Sequence, residues 1–180
     1  MQRTGKIAGW LLLAALSWFA NGAMAQSTSI ETEYLMTYVA MLDPPYAIDN
    51  TLLIVNVQPG GWAKGPKISG TFIAPGADWL RVMPSGALRL DVRATLKTDD
   101  GALIYISYNG IIQHSVESAE KLGKGELLTT KDIPYFITTP TFQTSSEKYA
   151  WLNSVQLVNK AVEVKLGEGG YVKYDVFVLR

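Results

Sequence analysis

The sequence predicts an all-β protein, an antiparallel barrel or sandwich of about nine or ten short strands with one short helix. Three observations support this prediction. Apolar and polar residues alternate in many short segments, turn residues such as Pro-Gly and Asp-Gly separate these segments, and only one segment has the pattern of a helix. The pattern is clearest over residues 65–110, where hairpin turns join alternating strands.

The start of the chain has the pattern of a secretory signal peptide. Arg3 and Lys6 give it a positive charge, residues 7–19 are apolar but too few to span a bilayer, and Ala23-Met24-Ala25 resembles a cleavage site. We therefore expect residues 1–25 to be removed and the protein to be periplasmic or secreted. A retained membrane anchor is the alternative.

The mature chain is expected to have a flexible leader over residues 26–32 and a single domain over residues 33–180. It has no cysteine, so neither a disulfide nor a lipid attached to cysteine is expected. Its 14 basic and 16 acidic residues give a net charge of about −2. This charge predicts neither a nucleic-acid partner nor stable membrane association after signal cleavage. The oligomeric state stays open, with a homodimer among the alternatives.

The elements follow from periodicity and from turn residues. Strands are predicted over residues 33–42, 51–57, 68–73, 79–83, 87–97, 102–113, 135–137, 151–158, 162–165 and 171–179. A helix is predicted over residues 115–123, because Ser115 is a good N-cap and Gly123 a good C-cap. Gly70 interrupts a strand, which favours sheet curvature over contact with a ligand.

The longest strand, residues 87–97, has two unlike faces. Its even-numbered positions are all apolar, and its odd-numbered positions include Arg89, Asp91, Arg93, Thr95 and Lys97. One face must meet hydrocarbon, and the other meets either water or an internal polar chamber. Our functional hypothesis takes the second alternative and places the odd-numbered face inside a closed barrel.

The turn that follows this strand sets its pairing with the next one. Thr98-Asp99-Asp100-Gly101 fits a three-residue loop with glycine in the left-handed region. This loop, which we prefer, places Arg93 opposite Ser107. A two-residue loop would instead place Arg93 beside Ile106 and Tyr108.

The hairpin that precedes this strand allows two registers. A two-residue loop sets Asp78 opposite Arg93, whereas the three-residue loop Pro84-Ser85-Gly86 sets Trp79 opposite Asp91. The sequence does not decide between them. If Asp78 and Arg93 meet inside a barrel, each keeps the other charged, because an unpaired buried ion is costly.

Five ordered blocks of the sequence resemble a known family. They are GPKISG at 65–70, PGADW at 75–79, LDVR at 90–93, TDDGA at 98–102, and FQT followed by YAWLN within 142–153. On these blocks the chain resembles domain of unknown function family 3237 from about Glu33 to its end. The resemblance implies a compact, lipocalin-like antiparallel β-barrel and no settled activity. The export signal departs from the usual family member and weakens any transfer of a cytosolic metabolic role. Ser85 stands where the family often has an acidic residue before the turn glycine, and this difference concerns only the chemistry of the turn.

Several kinds of chemistry are not expected. His114 is the only histidine, so a multi-histidine zinc site is absent from the sequence, and there is no cysteine nucleophile. We expect His114 to lie exposed in a loop. No glycine-rich phosphate loop stands between a strand and a helix. Asp99 and Asp100 have the pattern of exposed turn residues. We therefore expect no cofactor and no metal site.

Polar and aromatic residues near the long strand are the candidates for a site. Asp78 begins a predicted strand, and the Trp79 indole could half-bury its carboxylate near Arg93. Tyr105, Tyr149 and Trp79 could form an aromatic wall for an apolar ligand, although aromatic core residues of a barrel have the same pattern. Asn153 is expected on a strand in a segment that otherwise reads as core, where its amide either ties a loop or faces the chamber.

The leading functional hypothesis is binding of a small apolar or aromatic molecule at the barrel mouth. The ligand-binding candidates are Asp78, Trp79, Asp91, Arg93, Tyr105 and Asn153. The alternative is a cofactor-free isomerase, cyclase or lyase in which Asp78 or Asp91 exchanges a proton and Arg93 or Tyr105 stabilises negative charge. A third alternative is a structural or partner-binding exported domain without a pocket.

Overall fold

The structure, a computed structural model, describes residues 29–180, so the signal peptide expected at residues 1–25 lies outside the described residues. Ten strands are present: β1 (Thr32–Leu42), β2 (Tyr46–Ala47), β3 (Leu52–Lys64), β4 (Ser69–Val82), β5 (Leu88–Thr98), β6 (Leu103–Gln113), β7 (Leu128–Thr129), β8 (Tyr135–Gln143), β9 (Leu157–Lys165) and β10 (Tyr171–Leu179). Helix α1 (Val116–Gly123) lies between β6 and β7, and a 3₁₀ helix (Glu147–Ser154) between β8 and β9. Across residues 29–180, no helix has the length and apolar character needed to cross a membrane.

Eight strands form a closed antiparallel barrel. They are hydrogen-bonded in the order β1-β10-β9-β8-β6-β5-β4-β3, and pairing of β3 with β1 closes the ring. Strand β2 extends β3, and β7 pairs with β9. The predicted all-β barrel of about ten strands is confirmed, and the described part of the chain has the 3₁₀ helix in addition to the expected α-helix.

The three-residue loop is found in both hairpins that flank β5. Arg93 lies opposite Ser107, as the preferred loop predicts. In the preceding hairpin Asp78 pairs with Val92 and Arg81 with Arg89, so Trp79 lies opposite Asp91. The glycines of the two loops have φ angles of 83° and 92°, which side chains rarely adopt.

Two predicted turns are absorbed into strands. The segments expected at 68–73 and 79–83 form the single strand β4, in which a register shift between Ile73 and Ala77 takes up Pro75-Gly76 as a bulge. Strand β3 likewise continues through Pro59-Gly60-Gly61. In the opposite direction, residues 151–154, predicted as strand, belong to the 3₁₀ helix.

The inner face of β5 is the even-numbered one. Its buried residues are Leu90, Val92, Ala94 and Leu96. The expectation that the odd-numbered face lines a chamber is therefore wrong. An eight-stranded barrel has an interior just wide enough for side chains, and burial of the apolar set is worth about 1.5–3 kcal/mol per large residue. The charged set consequently faces outward.

The two ends of the barrel differ. At the end with the β5–β6 turn, the 3₁₀ helix buries Tyr149 and Leu152 against the core, and the Tyr149 hydroxyl donates a hydrogen bond to Asp100 at 3.1 Å. At the other end β6 leads into α1, whose N-cap is Ser115 as predicted. The first end is filled with side chains, and the second leaves room for a pocket.

Candidate functional site

The α1 end of the barrel contains an apolar pocket of about 300 Å³. Its walls come from the inner faces of the strands, and α1 supplies Ala119 and Leu122 over the opening. The wall residues are mainly aliphatic, as with Val55, Leu90 and Val172. Such a pocket can hold a small apolar molecule, because most of that molecule's surface would leave water on binding.

Asp78 is the one carboxylate among the described residues that line this pocket. It lies on the inner face of β4 because it pairs with Val92, and residues directly opposite in a ladder point to the same side. Only 9% of Asp78 is exposed. One carboxylate oxygen accepts a hydrogen bond from the backbone N–H of Asp91 at 2.9 Å.

The pKa of Asp78 is raised to about 7, chiefly by burial; the Asp91 N–H hydrogen bond lowers it in part, and the negative charge of Asp91 adds to the rise. No lysine or arginine is among the described pocket residues, so no cation counters the effect of burial there. A carboxyl group with a pKa near neutrality can both donate and accept a proton. This is the property required of a general acid and base.

Two tyrosines line the same pocket. Tyr108 lies on the inner face of β6, opposite Val92, and Tyr174 lies on the inner face of β10. Their rings meet edge to face with centroids 6.1 Å apart. Burial raises the pKa of both phenols, and the charge of Asp78 raises them further, so both hydroxyls remain protonated at neutral pH.

Three candidate residues assemble on the outside of the barrel. Arg93 forms an ion pair with Asp91 at 2.7 Å, and its guanidinium lies 5.3 Å from the centroid of the Trp79 ring. The side chains of Arg93 and Asp91 are 45% and 44% exposed. Tyr105 is also exposed on the outer face. The expected convergence of these groups with Asp78 inside the barrel is therefore wrong, because alternation along β4, β5 and β6 directs them to solvent.

The amide of Asn153 ties a loop, which is one of the two roles expected for it, and does not face the pocket. It lies in the 3₁₀ helix rather than on a strand, is exposed, and exchanges two hydrogen bonds of 2.9 Å with the backbone of Thr144. It ties a loop at the filled end of the barrel. His114, expected in an exposed loop, is half-buried and lines the pocket mouth.

The outer face also has a groove of about 430 Å³, lined in part by Trp79, Asp91 and Tyr135. It is open to solvent, and the one carboxylate among its described lining residues, Asp91, is paired with Arg93. The interior pocket combines enclosure with a buried acid, which is the combination typical of binding and catalytic sites. We therefore regard the interior pocket as the candidate site.

Tyr108 and Tyr174 are absent from the residues that the sequence singled out. Each stands in an apolar alternation and so has the pattern of a core aromatic. The register could have revealed Tyr108, because Asp78, Val92 and Tyr108 are successive neighbours across β4, β5 and β6. Tyr174 comes from a strand far along the chain, and no local pattern connects it to Asp78. Within residues 29–180, no group of three or more His, Cys, Asp or Glu side chains could hold a metal ion.

Comparisons with known proteins place these features in a family. A UPF0311 protein of Rhodopseudomonas palustris is 35% identical over 136 residues, which cover 74% of this chain and 88% of that protein. Its crystal structure superposes with a TM-score of 0.77 and covers 86% of this chain and 99% of that one. A β-barrel-like protein of Acinetobacter baumannii is 32% identical, with a TM-score of 0.70 and coverage of 87% and 99%.

One relative has a named activity. The hydroalkoxylation enzyme phnH of Penicillium herquei is 31% identical over 147 residues, which cover 79% of this chain and 83% of that protein. The family model for the protein family of unknown function DUF3237 matches residues 30–179. The resemblance carried by the five sequence blocks is thus confirmed, and the chain belongs to the DUF3237 family.

Proposed function

We propose that this protein binds a small, mostly apolar molecule in the interior pocket and that Asp78 exchanges a proton with it. The protein would then be a cofactor-free isomerase, cyclase or lyase. The observation that carries the proposal is the position of one buried carboxyl group, 9% exposed, in a pocket whose other lining residues are apolar apart from two tyrosines and His114 at the mouth. Asp91 and Arg93 are not assigned catalytic roles, because both lie on the outer face.

The chemistry requires only groups that the chain supplies. Protonated Asp78 can transfer its proton to a carbon atom of the bound molecule, and the resulting carboxylate can take a proton from another atom of the same molecule. An isomerisation or cyclisation by this route returns Asp78 to its starting state and conserves all atoms. The apolar walls exclude water, which otherwise would compete as a proton donor and acceptor.

The named relative supports the same class of reaction. Hydroalkoxylation adds an O–H group across a carbon–carbon double bond, so one proton moves to carbon and one C–O bond forms. A single acid and base in a dry pocket can perform that transfer. This chain has the pocket and the carboxyl group that such a reaction needs.

Simple binding without turnover is the second candidate, and the apolar pocket favours it. The structural alternative without a pocket loses support, because the α1 end of the barrel is not filled. Export to the periplasm or medium remains part of the proposal and is supported by the signal-peptide pattern of residues 1–25. Amino-terminal sequencing of the protein from its own host tests this part, and we expect Gln26 at the start.

The decisive experiment compares the wild type with Asp78→Asn on a metabolite extract of the host, prepared in D₂O. The wild type should convert one compound into an isomer or a cleavage product that has gained deuterium. Asp78→Asn should leave the compound unchanged, because the amide keeps the shape but cannot exchange a proton at neutral pH.

Asp91→Asn is the matched control, since it removes a neighbouring carboxylate from the outer face and should keep full turnover. Turnover by Asp78→Asn, or a product without deuterium, contradicts the proposed chemistry. If the extract yields a bound but unconverted compound in native mass spectrometry, binding alone is the function.

A further inference from the structure

A layer of buried polar groups lies in the barrel interior next to the pocket. Its members are Tyr38, Thr138, Asn159 and Tyr174, each at most 1% exposed. The Asn159 amide donates a hydrogen bond to the Tyr38 hydroxyl at 2.9 Å. Tyr38 also packs on Tyr174, with ring centroids 5.2 Å apart. Buried polar groups are normally paired, so an unpaired one in this layer needs a physical reason.

The Tyr174 hydroxyl, the Thr138 hydroxyl and the Asn159 side-chain oxygen are fully buried without a hydrogen-bond partner of good geometry in the part of the chain that the structure describes. Burial raises the pKa of Tyr174, and the Tyr108 hydroxyl, which lies near that of Tyr174, contributes to the rise. Tyr38 and Tyr174 pack against each other, but only Tyr174 is among the residues that line the pocket. Tyr108, the other pocket phenol, approaches Tyr174 edge to face. Tyr108 is 7% exposed and lines the pocket, whereas Tyr174 is 0% exposed, so the Tyr108 phenol is the one that a bound molecule can reach.

From this arrangement we infer that Tyr108, backed by the buried phenol of Tyr174, donates a hydrogen bond to an oxygen atom of the bound molecule while Asp78 faces another part of it. The ligand class is then an apolar compound with a ketone, enol or phenol oxygen, and a pure hydrocarbon is excluded. This inference rests on the proposed function, because it assumes that the molecule occupies the interior pocket.

The charges of the pocket sharpen the ligand class. Asp78 is present, and the described pocket residues include no lysine or arginine. A carboxylate or phosphate on the ligand would thus enter an apolar environment without a lysine or arginine to pair with, which is costly. His114, the one basic group among the described lining residues, lies at the pocket mouth. The oxygen of the ligand is therefore neutral before reaction. Negative charge that develops on it during proton transfer would be stabilised by the two phenols.

A pair of probes tests the inference. The ketone 1-tetralone and the hydrocarbon tetralin have nearly the same shape, and only the ketone has an oxygen acceptor. We define the oxygen preference as the dissociation constant of tetralin divided by that of 1-tetralone, both measured by ligand-observed NMR. Because a neutral hydrogen bond is worth about 1 kcal/mol, Tyr108→Phe should lower this preference about fivefold, and Tyr108→Phe/Tyr174→Phe should lower it at least as much.

Tyr38→Phe is the matched control. It removes a hydroxyl from the same layer, but that hydroxyl accepts from Asn159 and lies outside the pocket lining. It should lower the Tm by about 2–4 °C or more and change the oxygen preference less than about twofold. Tyr174→Phe should not lower the Tm, because it removes an unpaired group.

The outcomes separate the two proposals. An oxygen preference that is the same in the wild type and in Tyr108→Phe/Tyr174→Phe, with both probes bound, overturns the inference and leaves the pocket proposal standing. If neither probe binds the wild type, both proposals fail. A lower preference in Tyr108→Phe, with Tyr38→Phe unchanged, supports the inference.

Discussion

Asp78 is held where a charged carboxylate is unfavourable. Its neighbours in the pocket are aliphatic and aromatic, and its hydrogen-bond donor is the single backbone N–H of Asp91. The folded protein therefore prefers the protonated form up to a pH of about 7, whereas an unperturbed aspartate loses its proton near 3.8. The buried position of Asp78 therefore makes the folded state less stable at high pH.

This difference in pKa predicts a specific pH dependence of stability. Between pH of about 4 and 7 the folded state binds one proton that the unfolded state has released, so the wild type should lose stability as the pH rises. The loss is on the order of a few kcal/mol and levels off above pH of about 7. Asp78→Asn should lack it, and urea unfolding at a series of pH values measures the difference between the two proteins.

Asp91→Asn provides the comparison for this measurement, because it removes a half-exposed carboxylate two positions from Arg93. Between pH of about 4 and 7, its free energy of unfolding should fall with pH almost as steeply as that of the wild type. A wild-type slope that matches that of Asp78→Asn would show that Asp78 titrates normally.

Arg93 gives a second prediction at the scale of the residue. Its guanidinium lies outside the barrel, against Asp91 and Trp79. Arg93→Ala should leave the dissociation constant of 1-tetralone unchanged within about twofold and change the stability little, since exposed ion pairs contribute little. Calorimetric titration of the variant with 1-tetralone is the measurement. A tenfold loss of affinity would show that the ligand binds on the outer face, near Arg93.

Sequence patterns identified Asp78 but misplaced its companions. Alternation along β5 defines two faces without stating which face is inside, and the charged face was assigned to the interior. The apolar residues Leu90 and Val92 could have decided the question, because a small barrel has no other place to bury them. The partnership of Tyr174 with Asp78 depends on closure of the barrel and has no local signal.

At the scale of the element, turn chemistry was the best guide. The glycines at positions 86 and 101 occupy left-handed conformations in the two three-residue loops. The turn residues predicted the loop and register after β5, whereas they left the register of the hairpin before β5 open between two alternatives. Prolines were less reliable: Pro59 and Pro75 read as strand ends, yet β3 and β4 pass through them with a local bulge or bend. Barrel curvature tolerates such irregularities within a continuous strand.

Gly70 shows how closely two strands approach at one point of the barrel. A methyl group on Gly70 would lie 2.3 Å from the Lys97 carbonyl oxygen and 2.7 Å from the Thr98 Cα. Both atoms belong to backbone, so neither can move aside without disturbing the β4–β5 ladder. The expectation that this glycine serves sheet geometry is consistent with these contacts.

Gly70→Ala should therefore destabilise the protein by about 2–3 kcal/mol or more, as overpacking against backbone does. Gly123→Ala is the control, because nothing lies within 4 Å of its added methyl group and it ends α1. That variant should be neutral or more stable by up to about 1 kcal/mol. Equal stability of the two variants in urea unfolding would mean that β4 and β5 are further apart.

At the scale of the whole molecule, the barrel divides into a filled end and an open end. The 3₁₀ helix closes the first, and α1 covers the second without filling it. This division lets one small domain have both a stable core and a binding cavity. It also predicts that ligand binding can be removed without loss of the fold, because the cavity walls contribute little packing on their empty side.

Val92→Trp tests this division. The new indole should occupy the pocket between Asp78 and Tyr108, remove binding of 1-tetralone, and leave a folded protein with a Tm close to that of the wild type. Thr95→Trp adds the same side chain to the outer face of the same strand and should bind normally. Normal binding by Val92→Trp would place the ligand elsewhere.

The central claim is that the pocket contains a carboxyl group that is half-protonated near neutral pH. The most direct measurement is an NMR titration of the Asp78 carboxyl carbon, assigned by its loss in Asp78→Asn. A midpoint near pH 7 agrees with the proposed acid and base. A midpoint near pH 4, the value of an exposed aspartate, would contradict both its burial and its role.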